Sequence, residues 1–249
     1  MKWNLILLCT ALLIGQTAAF AAPADLKPEP ETRAKWVTDH SNECARLSKI
    51  FKHKELMFLG DSITWGWRDI TKNGGSKIWN QYFAKRAVNF GISGDRIEHV
   101  LWRITEGKQL DGCRFDTIVM MIGVNNILAA KKTHQTIEDV AHGNKQIIDI
   151  IKAKQPQAKI LLLSILPLHY DDGIRDRMAK EINPLLMKLA DNRTVFYLDL
   201  TKFFLDEKGK VINLYDGLHP GPFGYQKMAE AIDAELKKIK SATAGAAAK

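Results

Sequence analysis

The chain has 249 residues and a formal net charge of +8, with 36 lysines and arginines against 28 acids. That basic excess is scattered among the acids and forms no dense run with interleaved aromatics, which argues against nucleic acid as a partner. No stretch after the first 21 residues approaches about 18 uninterrupted apolar residues, so no transmembrane span is expected.

The first residues have the organisation of an export signal. Lys2 supplies a positive start, Leu5 to Ile14 an apolar core too short to cross a bilayer, and Ala19-Phe20-Ala21 a small-x-small cleavage site. Cleavage is expected after Ala21 or Ala22. Cys9 is preceded by Leu8 inside the apolar core, which argues against a lipoprotein. The expected location is therefore the periplasm or the cell exterior. Removing Lys2 with the signal lowers the net charge by one and leaves roughly 225 residues, enough for one domain with a full core. The expected boundaries are a signal peptide at 1–21, an extended lead-in at 22–31, one domain at 32–240 and a flexible Ala-rich tail at 241–249. Cys44 and Cys113 then remain, either as a disulfide or as two buried thiols.

After the lead-in, Trp36, His40, Cys44, Leu47 and Ile50 recur at helical spacing. A strand at 55–59 breaks at Gly60-Asp61-Ser62. Asn73-Gly74-Gly75 marks a turn, and 78–83 a short helix. A second strand at 87–90 runs into Gly91-Ile92-Ser93-Gly94-Asp95, and a helix follows at 97–106. Residues 116–122 are almost wholly apolar, as in a strand covered on both faces, and stop at Gly123-Val124-Asn125-Asn126. The helical pattern through Ile137, Val140, Ala141, Ile147, Ile148 and Ile151 ends at Pro156. Strands at 159–165 and 194–199 flank a helix at 174–190, and a last helix spans 223–240. Alternating strands and helices of this kind predict a single α/β domain, a three-layer α/β/α sandwich around a parallel sheet.

In such a sheet the strand exits share the carboxyl edge, where open α/β folds place their chemistry. Ser62 sits at the first exit. A serine hydroxyl needs a neighbouring base; His219 can serve, with Asp216 three residues earlier to orient the imidazole. An oxyanion needs fixed donors, and the Gly94 amide, the Asn125 side chain and the Ser62 amide are candidates. Each fragment also has a plain reading. Gly-Asp-Ser can cap a helix, Asn125 or Asn126 can cap another, and Asp216-Gly217-Leu218-His219 can be a surface turn. Trp65 and Trp67 could stack on a sugar, wall an acyl pocket or fill the core. His169 and Tyr170 could line the cleft or belong to an ordinary loop. His40, His53, His99, His134 and His142 show no metal-ligand spacing, so neither a metal nor another cofactor is expected.

Taken in order, Gly60-Asp61-Ser62, Gly94, Asn125 and Asp216 to His219 resemble the four blocks of the GDSL, or SGNH, hydrolases. The segments Asn89 to Asp95, His99 to Arg103 and Gln155 to Ile160 are similar to the branch of platelet-activating-factor acetylhydrolase Ib catalytic subunits. The resemblance implies a five-stranded parallel, flavodoxin-like sheet. It also implies Ser62 as nucleophile, His219 as base, Asp216 as its orienting acid, and Ser62, Gly94 and Asn125 as the oxyanion hole. Its implied activity is hydrolysis of short acyl esters, acetyl above all. The implied substrate is acetylated carbohydrate or a lipid ester, with a lysophospholipase or a silent carbohydrate-binding protein as alternatives. Asn126 stands where many members have Asp, as it does in the acetylhydrolase-like branch. The signal and the insertion at 69–77 separate the chain from those intracellular relatives. Thr64 rules out the Gly-x-Ser-x-Gly elbow of the α/β-hydrolases.

Overall fold

The computed structural model describes residues 23, 25–38, 40, 53–70, 74–169 and 173–247. The expected signal peptide at 1–21, Cys44, Leu47, Ile50 and Tyr170 lie outside the described residues, as does one half of any Cys44–Cys113 disulfide.

Five strands form one parallel sheet: β1 (His53–Gly60), β2 (Ala87–Gly91), β3 (Arg114–Met121), β4 (Lys159–Leu163) and β5 (Val195–Leu198). Their order, β2-β1-β3-β4-β5, is the expected flavodoxin-like one. The last five residues of both β1 and β3 are buried, because helices cover both faces of the sheet. Those helices are α1 (Ser62–Trp65), α2 (Gly75–Tyr82), α3 (Ile97–Ile104), α4 (Val124–Thr133), α5 (Ile137–Lys154), α6 (Ile174–Met187) and α7 (Pro222–Ala247). On one side α2 packs on α7; on the other α5 packs between α3 and α6.

Helix α4 is absent from the sequence reading for a physical reason. It has no side-chain cap and no acid in its first turn, and it buries only Val124, Asn126 and Ile127. Little periodic signal is left to read. Helix α7 continues to Ala247, past the expected boundary at 240. The lead-in does more than extend. The Leu26 amide donates to Gln146 Oε1 (2.9 Å) and the Glu29 amide to the Glu98 carbonyl (3.1 Å), and a helical stretch at 34–38 follows. Trp36 is buried beside α3, with its ring against those of Trp102 and His99.

The order of strands puts the β1 exit at the point where connections leave to opposite sides, between β2 and β3. Gly60 and Gly91 are register partners there. A Cβ on Gly60 would overlap the Met121 carbonyl, and one on Gly91 would overlap the Trp65 amide. Only bare backbone lets α1 lie directly on the strand ends. Three hydrogen bonds then fix α1. The Ile63 amide donates to Asp61 Oδ1 (2.9 Å), the Tyr225 hydroxyl to the Ile63 carbonyl (2.7 Å), and Asn89 Nδ2 to the Thr64 carbonyl (2.7 Å).

Asp61 is completely buried and its Oδ2 has no hydrogen-bond partner among the described residues. Burial pushes its carboxyl up to about 7; the Ile63 amide opposes the rise and the Asp95 charge adds to it. Between its ordinary value near 3.8 and 7 the native state holds a proton that the unfolded chain has released. Asp61 therefore costs stability progressively as pH rises through that window, and the cost is constant above it. Asp61→Asn keeps the capping oxygen and does not titrate. Paired denaturant titrations of the two proteins at pH 4.5, 6 and 8 test this. The stability of the variant relative to wild type should climb from 4.5 to 8; a pH-independent difference would contradict the protonated state.

Candidate active site

The β1 exit delivers Ser62 as the first residue of α1, with its side chain largely buried. The Asp216 to His219 turn comes from the long connection between β5 and α7. An antiparallel bridge between Leu214 and Pro220 pinches this turn shut, and Gly217 adopts the left-handed backbone it needs (φ +82°). The two pieces meet. His219 Nε2 stands 2.9 Å from Ser62 Oγ, and His219 Nδ1 stands 2.7 Å from Asp216 Oδ2.

Asp216 is held as an anion. Burial works to raise its carboxyl, but the His219 amide, the His219 ring and the Leu218 amide outweigh it and keep the carboxyl below its ordinary value. Its Oδ1 accepts from the Leu218 and His219 amides at 3.0 and 2.8 Å. An ionised carboxylate can only accept, so Nδ1 must carry the ring hydrogen and Nε2 is left as an acceptor for the serine hydroxyl. Tyr215 covers the outer side of the imidazole, with ring centroids 5.8 Å apart and planes 21° apart.

Gly94 and Asn125 belong to the exits of β2 and β3, on either side of β1. Gly94 has φ +84°, and a Cβ there would run into the Arg33 guanidinium, whose Nη2 donates to the Ser93 carbonyl (3.0 Å). Asn125 Nδ2 donates to the Asp95 carbonyl (2.8 Å), which commits one amide hydrogen and leaves the other. Asn125 and the Gly94 loop are thus linked directly. Asn126 takes the plain role: its Oδ1 accepts the Ile97 amide at the start of α3 (3.0 Å), and its Nδ2 donates to Glu98 Oε2 (2.8 Å).

The sequence reading missed what holds these loops. Arg103 is completely buried on α3. Its Nη1 pairs with Asp95 Oδ2 and reaches the Gly60 carbonyl at 3.5 Å, its Nη2 donates to the Phe90 carbonyl (2.5 Å), and its Nε donates to Gln109 Oε1 (3.0 Å). The Trp36 indole donates to the other oxygen of Asp95. One cation thereby touches the exits of β1 and β2 and the loop after Gly94. A signal was present: Arg103 sits three residues after Val100 and one before Ile104, in register with the apolar face of its helix.

The other candidates divide. Trp67 is buried among Phe58, Trp79, Phe83 and Tyr225, which is the core reading, whereas Trp65 stays partly exposed. The exposed His169 donates its amide to the Gly217 carbonyl (2.9 Å), which places it against the Asp216 to His219 turn. Among the described residues no group of three or more His, Cys, Asp and Glu could hold a metal ion, and no helix is long and apolar enough to cross a membrane.

The family model of the GDSL-like lipases and acylhydrolases matches residues 58–227, from the end of β1 into α7. The chain is 29% identical over 222 residues to the human platelet-activating factor acetylhydrolase IB subunit alpha1, covering 86% of this chain and 89% of that protein. It is 30% identical over 213 residues to the rat subunit alpha2, covering 84% and 86%. Among solved structures, a protein from Bacteroides fragilis superposes with a TM-score of 0.67 at 20% identity, covering 84% of this chain and 99% of that one. An acetylxylan esterase from Geobacillus stearothermophilus gives 0.56 at 19%, covering 74% and 94%. The structural likenesses show the shared fold, and the match over residues 58–227 shows more: this chain belongs to the GDSL-like lipase/acylhydrolase family.

Proposed function

We propose that the protein is an exported serine ester hydrolase that removes short acyl groups, acetyl foremost, through an acyl-enzyme. The observation that carries the reading is the continuous hydrogen-bonded line from Ser62 Oγ through the His219 ring to the Asp216 carboxylate. His219 Nε2 takes the hydroxyl proton as Ser62 Oγ bonds to the ester carbonyl carbon. The carbonyl oxygen becomes an oxyanion, facing the Ser62 and Gly94 amides and the second Asn125 amide hydrogen. As the tetrahedral species collapses, His219 returns the proton to the departing alcohol oxygen. Water then loses a proton to His219, adds to the acyl-enzyme and releases the carboxylic acid, and the proton goes back to Ser62. Asp216 stays ionised throughout and stabilises the imidazolium.

Acetyl preference is supported by the names of the relatives, an acetylhydrolase and an acetylxylan esterase, and export by Lys2, the apolar core Leu5 to Ile14 and Ala19 to Ala21. Two variants test the chemistry by steady-state hydrolysis of 4-nitrophenyl esters from acetate to palmitate. Ser62→Ala should leave the fold intact and lower kcat by about 10⁴ or more on every ester, the loss expected of a triad nucleophile. A variant that keeps most of its activity would remove Ser62 from the chemistry. Asn125→Ala should lower kcat by about 10² with little change in KM, as the loss of one oxyanion donor does. An unchanged kcat would leave Asn125 as nothing more than the tie to Asp95.

A further inference from the structure

The peptide between Ser93 and Gly94 is the part of the carboxyl edge that its own residues secure least. Ile92 and Asp95 on either side of it are buried, and the Asp95 amide donates to the Ile92 carbonyl (3.2 Å), which closes a β-turn. Gly94 in the third place has φ +84°, and Ser93 in the second is not left-handed, so the turn is type II. Types I and II differ by a half-rotation of the central peptide, and a glycine in the third place accepts either. Asp95 is anchored by Arg103, Trp36 and Asn125. None of those contacts reaches the 93–94 peptide.

Among the described residues, one group does. Arg33 Nη2 donates to the Ser93 carbonyl (3.0 Å), and the guanidinium lies so near that a Cβ on Gly94 would stand 2.6 Å from Nη2. In a planar trans peptide the carbonyl oxygen and the amide hydrogen point to opposite sides. With the carbonyl turned to Arg33, the Gly94 amide faces the other way, where it donates to no described residue. Arg33 is itself held in place. Its Nε pairs with Glu31 Oε2 (3.0 Å). Four residues earlier the Glu29 amide is bound to the Glu98 carbonyl, and three residues later the buried Trp36 is bound to Asp95.

We propose that Arg33 is a positioning residue for the oxyanion: it holds the 93–94 peptide in the type II orientation and so presents the Gly94 amide hydrogen to the ester carbonyl oxygen. The inference rests on the esterase reading and adds a part to it. Arg33 acts through the peptide in two ways. It fixes the rotation of the peptide plane, and its positive charge at the carbonyl end polarises the amide into a stronger donor. Without it the turn populates both orientations, and only a fraction of the molecules carries a complete oxyanion hole.

The test compares Arg33→Met, Arg33→Lys and Arg33→Ala with wild type in hydrolysis of 4-nitrophenyl acetate. It adds inhibition by trifluoroacetone, whose adduct with a serine carries an oxyanion, and thermal unfolding midpoints. The Arg33 side chain is 54% exposed, so the variants should fold and a small cation can enter the vacated place. Arg33→Met should lower kcat by about tenfold with little change in KM, a smaller loss than that of a missing donor because the amide remains. The inhibition constant of trifluoroacetone should rise by the same factor. Arg33→Lys should keep part of the lost rate, and added methylguanidinium should restore part of it to Arg33→Ala. An unchanged kcat, a rise in KM alone, or a fall in kcat that leaves the inhibition constant unmoved or follows a lowered unfolding midpoint would overturn the role of Arg33. Wild type would still cleave the ester in each of those cases, and the esterase reading would stand. If wild type cleaves no ester, that reading falls and the role of Arg33 with it.

Discussion

The buried Arg103 guanidinium is the interaction on which the carboxyl edge of the sheet depends. A cation with no exposure is costly to bury, and it is tolerated only where every side is answered by an acceptor. Here the acceptors are the Gly60 and Phe90 carbonyls, the Asp95 carboxylate and Gln109. The cost of burial becomes a constraint on geometry. If the β1 exit or the Gly94 loop moved away, the cation would be left without partners in an apolar interior. Asp95 extends the constraint in two directions, through its carbonyl to Asn125 and through its carboxylate to Trp36 in the N-terminal segment. The three exits that carry Ser62, Gly94 and Asn125 are thus braced against one charge. Rigid placement of oxyanion donors before the reaction is what makes such donors effective.

The Asp216 to His219 turn is organised separately. Its geometry comes from Asp216, which accepts two amides of its own turn and the His219 ring, and from the Leu214–Pro220 bridge. The hydrogen bond that Ser62 donates to His219 joins it to the braced edge, together with the packing of α7 that follows it. Tyr225, three residues into α7, returns the link by donating to the Ile63 carbonyl just behind the serine. Helix α7 therefore positions both sides of the Ser62–His219 contact. The same long connection between β5 and α7 also lines a cavity of about 870 Å³, through Leu205, Gly209, Lys210 and Val211.

Much of this was legible in the sequence because it is written in local signals. Apolar runs ended by glycine marked β1, β2 and β3, and the order of Ser62, Gly94, Asn125 and the Asp216 to His219 turn needed only parallel strands to bring them to one edge. What was illegible depends on distant partners. Arg103 looked like one more charge on a helix until its acceptors, 6 to 43 residues away, came together. Asp61 read as a helix cap, which it is, but its complete burial comes from the packing around α1. Helix α4 lacked a cap, an acidic first turn and a strong apolar stripe, so tertiary contacts alone define it. Trp67 and Trp65, two residues apart, were indistinguishable by pattern and went to opposite environments.

The central claim is that Ser62 is made nucleophilic by His219 across the contact between these two assemblies. It is tested most directly by treating the folded protein with a fluorophosphonate and locating the adduct by peptide mass spectrometry. The expected result is one stoichiometric adduct on Ser62, abolished by prior unfolding and strongly slowed in His219→Ala. Absence of any adduct, an adduct on another residue, or labelling of Ser62 at the same rate without His219 would contradict the account.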